Sequence, residues 1–156
     1  SGVINILTKR ALPSQVRLSA VGGQHGLFQG NLGLAHAGRN VNALLAAEKL
    51  RSDGYARNTA FDRHNLYGRV AVQAGKTALS VQGGWMDNRF GAANFYHPKF
   101  YEQYEAVKSQ FVIAQASRTL GERLHSTLTG TWRRHNDLYD FDNYRTTRPA
   151  SVNHHQ

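Results

Sequence analysis

Apolar and polar residues alternate along most of the chain. In the stretch 66–74, the even positions include Val70 and Val72, whereas the odd positions include Arg69 and Gln73. Successive side chains of a β-strand point to opposite faces, so this two-residue period predicts strands with one apolar and one polar face. A helix would need apolar residues three or four positions apart, and that spacing is less frequent here.

The pattern predicts seven strands of an all-β, antiparallel, up-and-down sheet. They lie at 15–22, 27–36, 41–52, 64–74, 77–87, 105–118 and 123–135. All seven are longer than the roughly 5 or 6 residues typical of a strand in a globular sheet. All but the first reach the roughly 9 to 11 residues that a tilted strand needs to cross a bilayer. The fold class that we expect is therefore a segment of a transmembrane β-barrel.

The connections between the predicted strands differ in length. Tight, glycine-bearing turns are expected at 37–40, 74–76 and 120–123, and long links at 53–62, 87–104 and 136–151. Short turns at one end of the sheet and long loops at the other are typical of outer-membrane barrels. The short first link, at 22–26, departs from this pattern.

The apolar positions of the strands predict which side chains would face lipid. This set is Leu34, Leu45, Val70, Val72, Leu79, Val81, Phe111, Ile113 and Leu128. Tyr67, Trp85 and Trp132 stand near strand ends on the loop side, where an interfacial aromatic girdle would lie. Three basic residues are expected on the polar faces of their strands: Arg69, Lys108 and Arg133.

The charge of the chain is strongly positive, with 19 Lys and Arg against 10 Asp and Glu. Such a balance is found in proteins that bind nucleic acid or anionic membranes. The basic residues fall singly or in pairs, such as Lys9-Arg10 and Arg133-Arg134. No nucleic-acid-binding motif accompanies them, so we expect no nucleic-acid partner. The chain has no cysteine, which excludes disulfides and thiolate metal sites.

A second architecture fits the same alternation. In a soluble antiparallel β-barrel, the apolar faces would converge on a closed interior and the basic residues would cover the surface. The function would then be that of a soluble ligand-binding module. The direction in which the apolar face points distinguishes this alternative from the membrane barrel.

The opening stretch SGVINILTKR resembles the last plug strand of a TonB-dependent outer-membrane receptor. The matching residues are Gly2, Val3, Ile4, Asn5, Ile6, Thr8 and Lys9. Two further stretches, SDGYARNTAFDRHN (52–65) and GAANFYHPKFYEQYE (91–105), resemble loop segments of the vitamin B12-receptor-like group found in Bacteroidetes. The resemblance implies that 1–10 form the C-terminal end of a plug domain, and 11–156 the N-terminal part of a barrel of about 22 strands.

The resemblance also implies a function, which is capture and import of a scarce nutrient at the outer membrane. The nutrient would be cobalamin or another corrinoid, or else a ferric siderophore or haem. The implied partners are the TonB complex, acting through plug residues outside this chain, outer-membrane lipid and a surface lipoprotein. The chain would be an internal fragment of such a receptor.

The long link 87–104 is unusually rich in aromatic residues. Phe95, Tyr96 and Tyr101 flank Pro98, which would stiffen the loop. Rings of this kind bind bulky ligands by stacking and by their apolar area. We therefore expect these three residues to bind the ligand. The alternative is that the rings pack against neighbouring loops or the interfacial aromatic girdle.

The stretch NDLYDFDNY (136–144) places three carboxylates close together, at Asp137, Asp140 and Asp142. Oxygen ligands at this density could hold calcium. The glycine and closing glutamate of an EF-hand are missing, so an ordinary solvated acidic loop is the alternative. No Ser-His-Asp arrangement, HExxH motif or phosphate-binding loop occurs in the chain, and we do not expect an enzyme.

Overall fold

The structure, a computed structural model, describes residues 13–93, 102–121 and 124–140, and the backbone of 152–155. These residues form one antiparallel sheet. Its strands are β1 (Gln15–Gly22), β2 (Phe28–Ala37), β3 (Val41–Ser52), β4 (Phe61–Ala74), β5 (Thr77–Gly91), β6 (Tyr104–Leu120), β7 (Leu124–Asp140) and β8 (Val152–His155). The predicted plug strand, 1–10, lies outside the described residues.

Each strand pairs with the strand that follows it in the chain, in the order β1-β2-β3-β4-β5-β6-β7-β8. This up-and-down order confirms the predicted all-β, antiparallel architecture. Within the described residues, β1 and β8 do not pair with each other, so the sheet is not closed. We call the end that carries the connections 53–60 and 92–103 the loop-side end, and the opposite end the turn-side end.

All seven predicted strands are present, and four of them are longer than the alternation indicated. The strand predicted at 64–74 begins at Phe61, and the strand predicted at 77–87 continues to Gly91. The added residues pair across the ladder, as Asp62 does with Arg89. The face that is apolar elsewhere carries charge here, whereas the other face carries the pair Phe61 and Phe90. The apolar–polar period of the strands is therefore interrupted and does not reveal the extensions.

The pairing register divides the strand residues between two faces, because directly paired residues lie on the same side of a sheet. The apolar face carries Val16, Leu18, Leu32, Leu34, Leu45, Leu66, Val70, Val72, Leu79, Val81, Trp85, Val112, Leu128 and Trp132. The polar face carries Arg17, Asn31, Glu48, Asn65, Tyr67, Arg69, Gln82, Ser109, Gln115, Thr127, Thr129 and Arg133.

The apolar face is uncovered. Among the described residues, every exposed large hydrophobic side chain except Val21 and Tyr55 lies on this face. The exposed fraction is 54% for Val81 and 75% for Leu128. Ala92 is the one hydrophobic residue that is buried in the described part of the chain. The fold thus presents a broad apolar surface instead of enclosing it as a core.

The register corrects two members of the predicted lipid-facing set. Phe111 and Ile113 lie on the polar face, paired with Gly84 and Gln82, whereas Val112 lies on the apolar face. The run of apolar residues at 111–114 has no alternation from which a face could be chosen. The ring of Phe111 fits over Gly84, where the absence of a side chain leaves room for it.

Two further predicted positions are also corrected by the register. Tyr67 lies on the polar face, where its hydroxyl donates a hydrogen bond to Gln82 Oε1 at 3.0 Å, so it is not part of an outward aromatic girdle. Lys108 lies on the apolar face beside Asp87, not on the polar one. Lys108 has the same parity as Val112 in β6, so the choice that placed Phe111 and Ile113 on the wrong face also misplaced Lys108.

Candidate functional site

The connection between β5 and β6 contains the predicted ligand-binding residues Phe95, Tyr96 and Tyr101, which lie outside the described residues. The structure does describe both ends of this connection. The backbone N–H of Ala92 donates to the carbonyl oxygen of Gln103 at 2.8 Å, which joins the two ends. Gln103 is fully buried. The aromatic segment therefore leaves the sheet from a closed, hydrogen-bonded base.

The neighbouring connection, 53–60, contacts this base through hydrogen bonds and an ion pair. The side-chain amide of Asn58 donates to the carbonyl oxygen of Gln103 at 2.6 Å. The backbone N–H of Gly91 donates to the carbonyl oxygen of Ala60 at 2.9 Å, and Arg57 and Glu102 form an ion pair. These contacts link two loops that are far apart in sequence.

Local backbone geometry explains why these residue types stand here. Asn58 has a φ of 56°, a left-handed conformation that asparagine tolerates better than most residues. A Cβ at Gly91 would overlap the side-chain and backbone oxygens of Asn58. Glycine at position 91 and asparagine at position 58 together allow the close approach.

A cavity of about 540 Å³ lies mainly on the polar face, below this base. Its lining includes Arg17, Asn31, Glu48, Asn65, Tyr67, Gly84, Met86, Ser109 and Phe111. Asn65 Nδ2 donates to Glu48 Oε1 at 3.0 Å, and the rings of Tyr67 and Phe111 stand 6.5 Å apart between centroids. The cavity thus combines aromatic area with amide and carboxylate groups, which could hold a ligand that is partly apolar.

A second cavity, of about 400 Å³, lies nearer the turn-side end. Its lining is mostly polar and includes Asn42, Arg69, Gln73, Ser80, Gln115, Ser117, His125 and Thr127. Amides and hydroxyls of this kind suit water or a hydrophilic solute. The lining of this cavity is consistent with a hydrated polar face. A third cavity, of about 520 Å³, lies mainly on the apolar face, with Leu34, Leu45, Val70 and Val81 in its lining.

At the loop-side end the apolar face changes from hydrophobic to charged. Lys49 Nζ lies 2.5 Å from Asp62 Oδ1 and 2.7 Å from His64 Nε2. Two strands away, Arg89 donates from Nε and Nη2 to the two carboxylate oxygens of Asp87, each at 3.1 Å. Lys108 Nζ lies 3.6 Å from Asp87. All of these groups lie on the loop side of Trp85, outside the apolar band.

The neighbouring cations change the acidity of both carboxyl groups in this charged region. The hydrogen bond from Lys49 holds the pKa of Asp62 below its usual value, against a smaller opposing effect of burial. Burial raises the pKa of Asp87, but Arg89 and Lys108 together outweigh it, so that this pKa is also lowered. Both aspartates are therefore anionic at neutral pH and keep the cations beside them.

The three predicted calcium ligands are not brought together by the described structure. Asp137 and Asp140 belong to β7, where Asp137 pairs with Val107 and Asp140 with Tyr104. Residues three apart on a strand lie on opposite faces, so these two side chains point away from each other. Asp142 lies outside the described residues. Within the described ranges, no group of three His, Cys, Asp or Glu residues could hold a metal ion.

The charged pair within β5 and the contacts at the base of the aromatic loop were not anticipated from the sequence. Asp87 and Arg89 stand two positions apart, so the strand period would have placed them on one face if β5 had been extended past residue 87. The bond between Asn58 and Gln103 joins residues 45 positions apart, and no local pattern encodes it.

No protein-family model, curated protein or solved structure matches this chain. Among the described residues there is also no helix of the length and hydrophobicity needed to cross a membrane.

Proposed function

We propose that this sheet is a segment of a transmembrane β-barrel in an outer membrane, with its apolar face toward lipid. The observation that carries the proposal is the concentration of exposed large hydrophobic side chains on one face of the sheet. A contiguous exposed apolar surface of this kind marks contact with a membrane or a partner. On the opposite face the smaller cavity has a mostly polar lining, which supports a polar barrel interior.

The dimensions of the apolar band support the same proposal. On β5 the band runs from the turn-side end to Trp85, over residues 77–85. This length is close to the roughly 9 to 11 residues that a tilted strand uses to cross a bilayer. Trp85 and Trp132 lie toward the loop side of the band, where the aromatic girdle of a membrane barrel is found. The strands then continue as polar extensions beyond the band.

The more specific part of the proposal is that the barrel is a TonB-dependent nutrient receptor. It rests on the resemblance of 1–10 to a plug strand and of 52–65 and 91–105 to receptor loops. In this proposal the polar face surrounds the plug, and the aromatic connection between β5 and β6 contributes to capture of a corrinoid, a ferric siderophore or haem. The role is transport and not catalysis, and the TonB complex and a surface lipoprotein are its partners.

The first experiment uses the two native tryptophans, both of which lie on the apolar face. Single-tryptophan variants, Trp85→Phe and Trp132→Phe, are reconstituted with phosphatidylcholine vesicles that contain brominated acyl chains. Bromine quenches fluorescence only on contact, so the measurement does not require a closed barrel. We expect the remaining tryptophan to be quenched in each variant.

The control carries its tryptophan on the other face, at Thr131→Trp in a background with Trp85→Phe and Trp132→Phe. Position 131 is adjacent to 132 in β7 but pairs with Ile113 on the polar face. Its fluorescence should be much less quenched. Equal quenching at both positions, or none at the native tryptophans, would contradict the proposal. The absence of any lipid contact would favour the soluble ligand-binding barrel.

A further inference from the structure

Two cations on neighbouring strands converge on one carboxylate at the loop-side end of the apolar face. Arg89 and Lys108 both contact Asp87, and Asp87 and Lys108 are direct partners in the β5–β6 ladder. The carboxylate holds the two positive groups side by side despite their mutual repulsion. We refer to Arg89, Asp87 and Lys108 as the basic triad.

The basic triad presents positive charge to its surroundings and keeps its negative charge beneath. The exposed fraction is 53% for the Arg89 side chain and 48% for that of Lys108, but only 9% for that of Asp87. Asp87 engages Nε and Nη2 of Arg89, so the Nη1 donors of Arg89 are not used by this carboxylate. The outer surface of the triad is therefore cationic.

Other cations extend this surface. The same end of the apolar face carries five Lys or Arg residues against three Asp or Glu residues on the described strands: Lys49, Arg51, Arg89, Lys108 and Arg134 against Asp62, Asp87 and Asp140. Toward the turn-side end, Arg118 is the one Lys or Arg on this face of the described strands. The positive charge of this face is thus concentrated at one boundary of the apolar band.

The triad stands at a defined height above that band. Asp87 follows Trp85 by two residues on the same face of β5, which is about 7 Å at roughly 3.3 Å per residue. Interfacial tryptophans lie at the level of the lipid headgroups. A cationic group just beyond such a tryptophan is placed to meet the charged part of a headgroup.

We infer that the basic triad binds the phosphate group of an anionic lipid headgroup in the leaflet on the loop side. The inference rests on the proposed function, because it requires the apolar face to contact lipid. A guanidinium and an ammonium, held 3.1 and 3.6 Å from a shared carboxylate, form a preorganised pair of donors. Charge-assisted hydrogen bonds from such groups are the strong ones in phosphate recognition. The triad keeps a net positive charge, which attracts an anion.

The test compares vesicles of phosphatidylcholine alone with vesicles that also contain phosphatidylglycerol. Binding of the chain is measured by quenching of its tryptophans with brominated lipid. We expect the chain to bind the anionic vesicles more tightly. The variant with both Arg89→Gln and Lys108→Gln should lose most of this preference. Its affinity for the anionic vesicles should fall by roughly fivefold for each cation removed, and on the order of 25-fold for both.

A matched control removes the same charge from the opposite face. The variant with Arg17→Gln and Arg133→Gln loses two exposed cations of the polar face and should keep the preference for anionic vesicles. The conservative variant Lys108→Arg should also keep it. An equal loss in the polar-face control would show that only net charge matters and would overturn the inference.

Three further outcomes separate the possible failures. If sodium phosphate removes the preference more strongly than sodium chloride at matched ionic strength, the triad is a site for a free anion and not for a lipid surface. If the double variant is still quenched in phosphatidylcholine and keeps its preference for phosphatidylglycerol, the inference is wrong and the proposed function stands. If the unsubstituted chain shows no quenching in any vesicle, both are wrong.

Discussion

Phe111 lies directly over Gly84 on the polar face of the sheet, and its ring occupies the space in which a Cβ at position 84 would stand. The two residues are direct partners between β5 and β6. An aromatic ring that covers a glycine on the neighbouring strand shields the exposed backbone and helps to fix the register. This pair determines which face of β6 carries the aromatic residue.

Replacement of Gly84 by alanine should therefore destabilise the sheet. The added methyl group would overlap the Phe111 ring, and overpacking of this kind costs about 1–3 kcal/mol. The measurement is urea unfolding in detergent micelles, followed by circular dichroism. Gly130→Ala is the control, because nothing lies within 4 Å of a Cβ at that position, and it should be neutral or slightly stabilising. Phe111→Leu combined with Gly84→Ala should recover part of the loss.

A charge on the apolar face should impair membrane insertion. Val70 is 48% exposed on this face, near the middle of the band, and Val70→Lys should cost about 2–4 kcal/mol in a bilayer. Its neighbour Ala71 lies on the polar face and lines the smaller cavity, so Ala71→Lys should have little effect. The measurement is partitioning of the chain into phosphatidylcholine vesicles, followed by quenching of its tryptophans with brominated lipid, which does not require a closed barrel. Equal tolerance of both lysines would contradict the assignment of the faces.

The bond from Asn58 to Gln103 should control the rigidity of the base beneath the aromatic loop. Asn58→Gly keeps the left-handed backbone conformation and removes the side-chain amide that donates to Gln103, at a cost of about 0.5–1.5 kcal/mol for the lost hydrogen bond. We expect faster amide hydrogen exchange in the peptide that covers Gln103, measured by mass spectrometry. Ser14→Ala, which removes the acceptor of the Ala37 N–H at the turn-side end, should leave that exchange unchanged. An unaltered rate in Asn58→Gly would show that the other contacts suffice.

The predicted ligand-binding rings can be tested one by one. If the connection between β5 and β6 contacts a corrinoid, Phe95→Ala, Tyr96→Ala and Tyr101→Ala should each weaken cyanocobalamin binding by about 2- to 10-fold, the range expected for loss of a stacked ring. Binding is measured by titration calorimetry on the chain in micelles. Tyr55→Ala is the control, because Tyr55 is 82% exposed in a different connection. An effect of Tyr55 equal to the others, or no binding, would argue against a corrinoid at these rings.

The sequence pattern was a reliable guide to the strands and a weaker one to their ends. Where one face of a strand is apolar, as at Val70 and Val81, the two-residue period predicts both the strand and the face on which each side chain lies. At 111–114 the apolar run has no period, so the prediction placed Phe111 and Ile113 on the wrong face. The extensions of β4 and β5 carry charge on the otherwise apolar face, at Asp62 and Arg89, and a phenylalanine pair on the other, so the period is lost there and only the ladder between the strands reveals them.

The candidate site was less accessible to prediction than the fold. The density of aromatic residues was enough to identify the β5–β6 connection as a candidate site. The base of this connection depends on contacts between residues distant in sequence, such as Asn58 and Gln103. The predicted calcium site assumed a loop, but Asp137 and Asp140 are strand residues and therefore lie on opposite faces. The basic triad could be identified only from the pairing register, because Lys108 belongs to a different strand from Asp87 and Arg89.

The most direct test of the central claim compares the surroundings of two adjacent residues, Ser80 and Val81. The chain has no native cysteine, so Ser80→Cys and Val81→Cys each carry a single nitroxide spin label, in phosphatidylcholine bilayers. Collision with oxygen and with a water-soluble nickel complex is measured by power saturation. We predict high oxygen and low nickel accessibility at position 81, and high nickel accessibility at position 80. Low accessibility to both reagents at position 81 would mean that Val81 packs in a closed protein interior, and would contradict the membrane-barrel account.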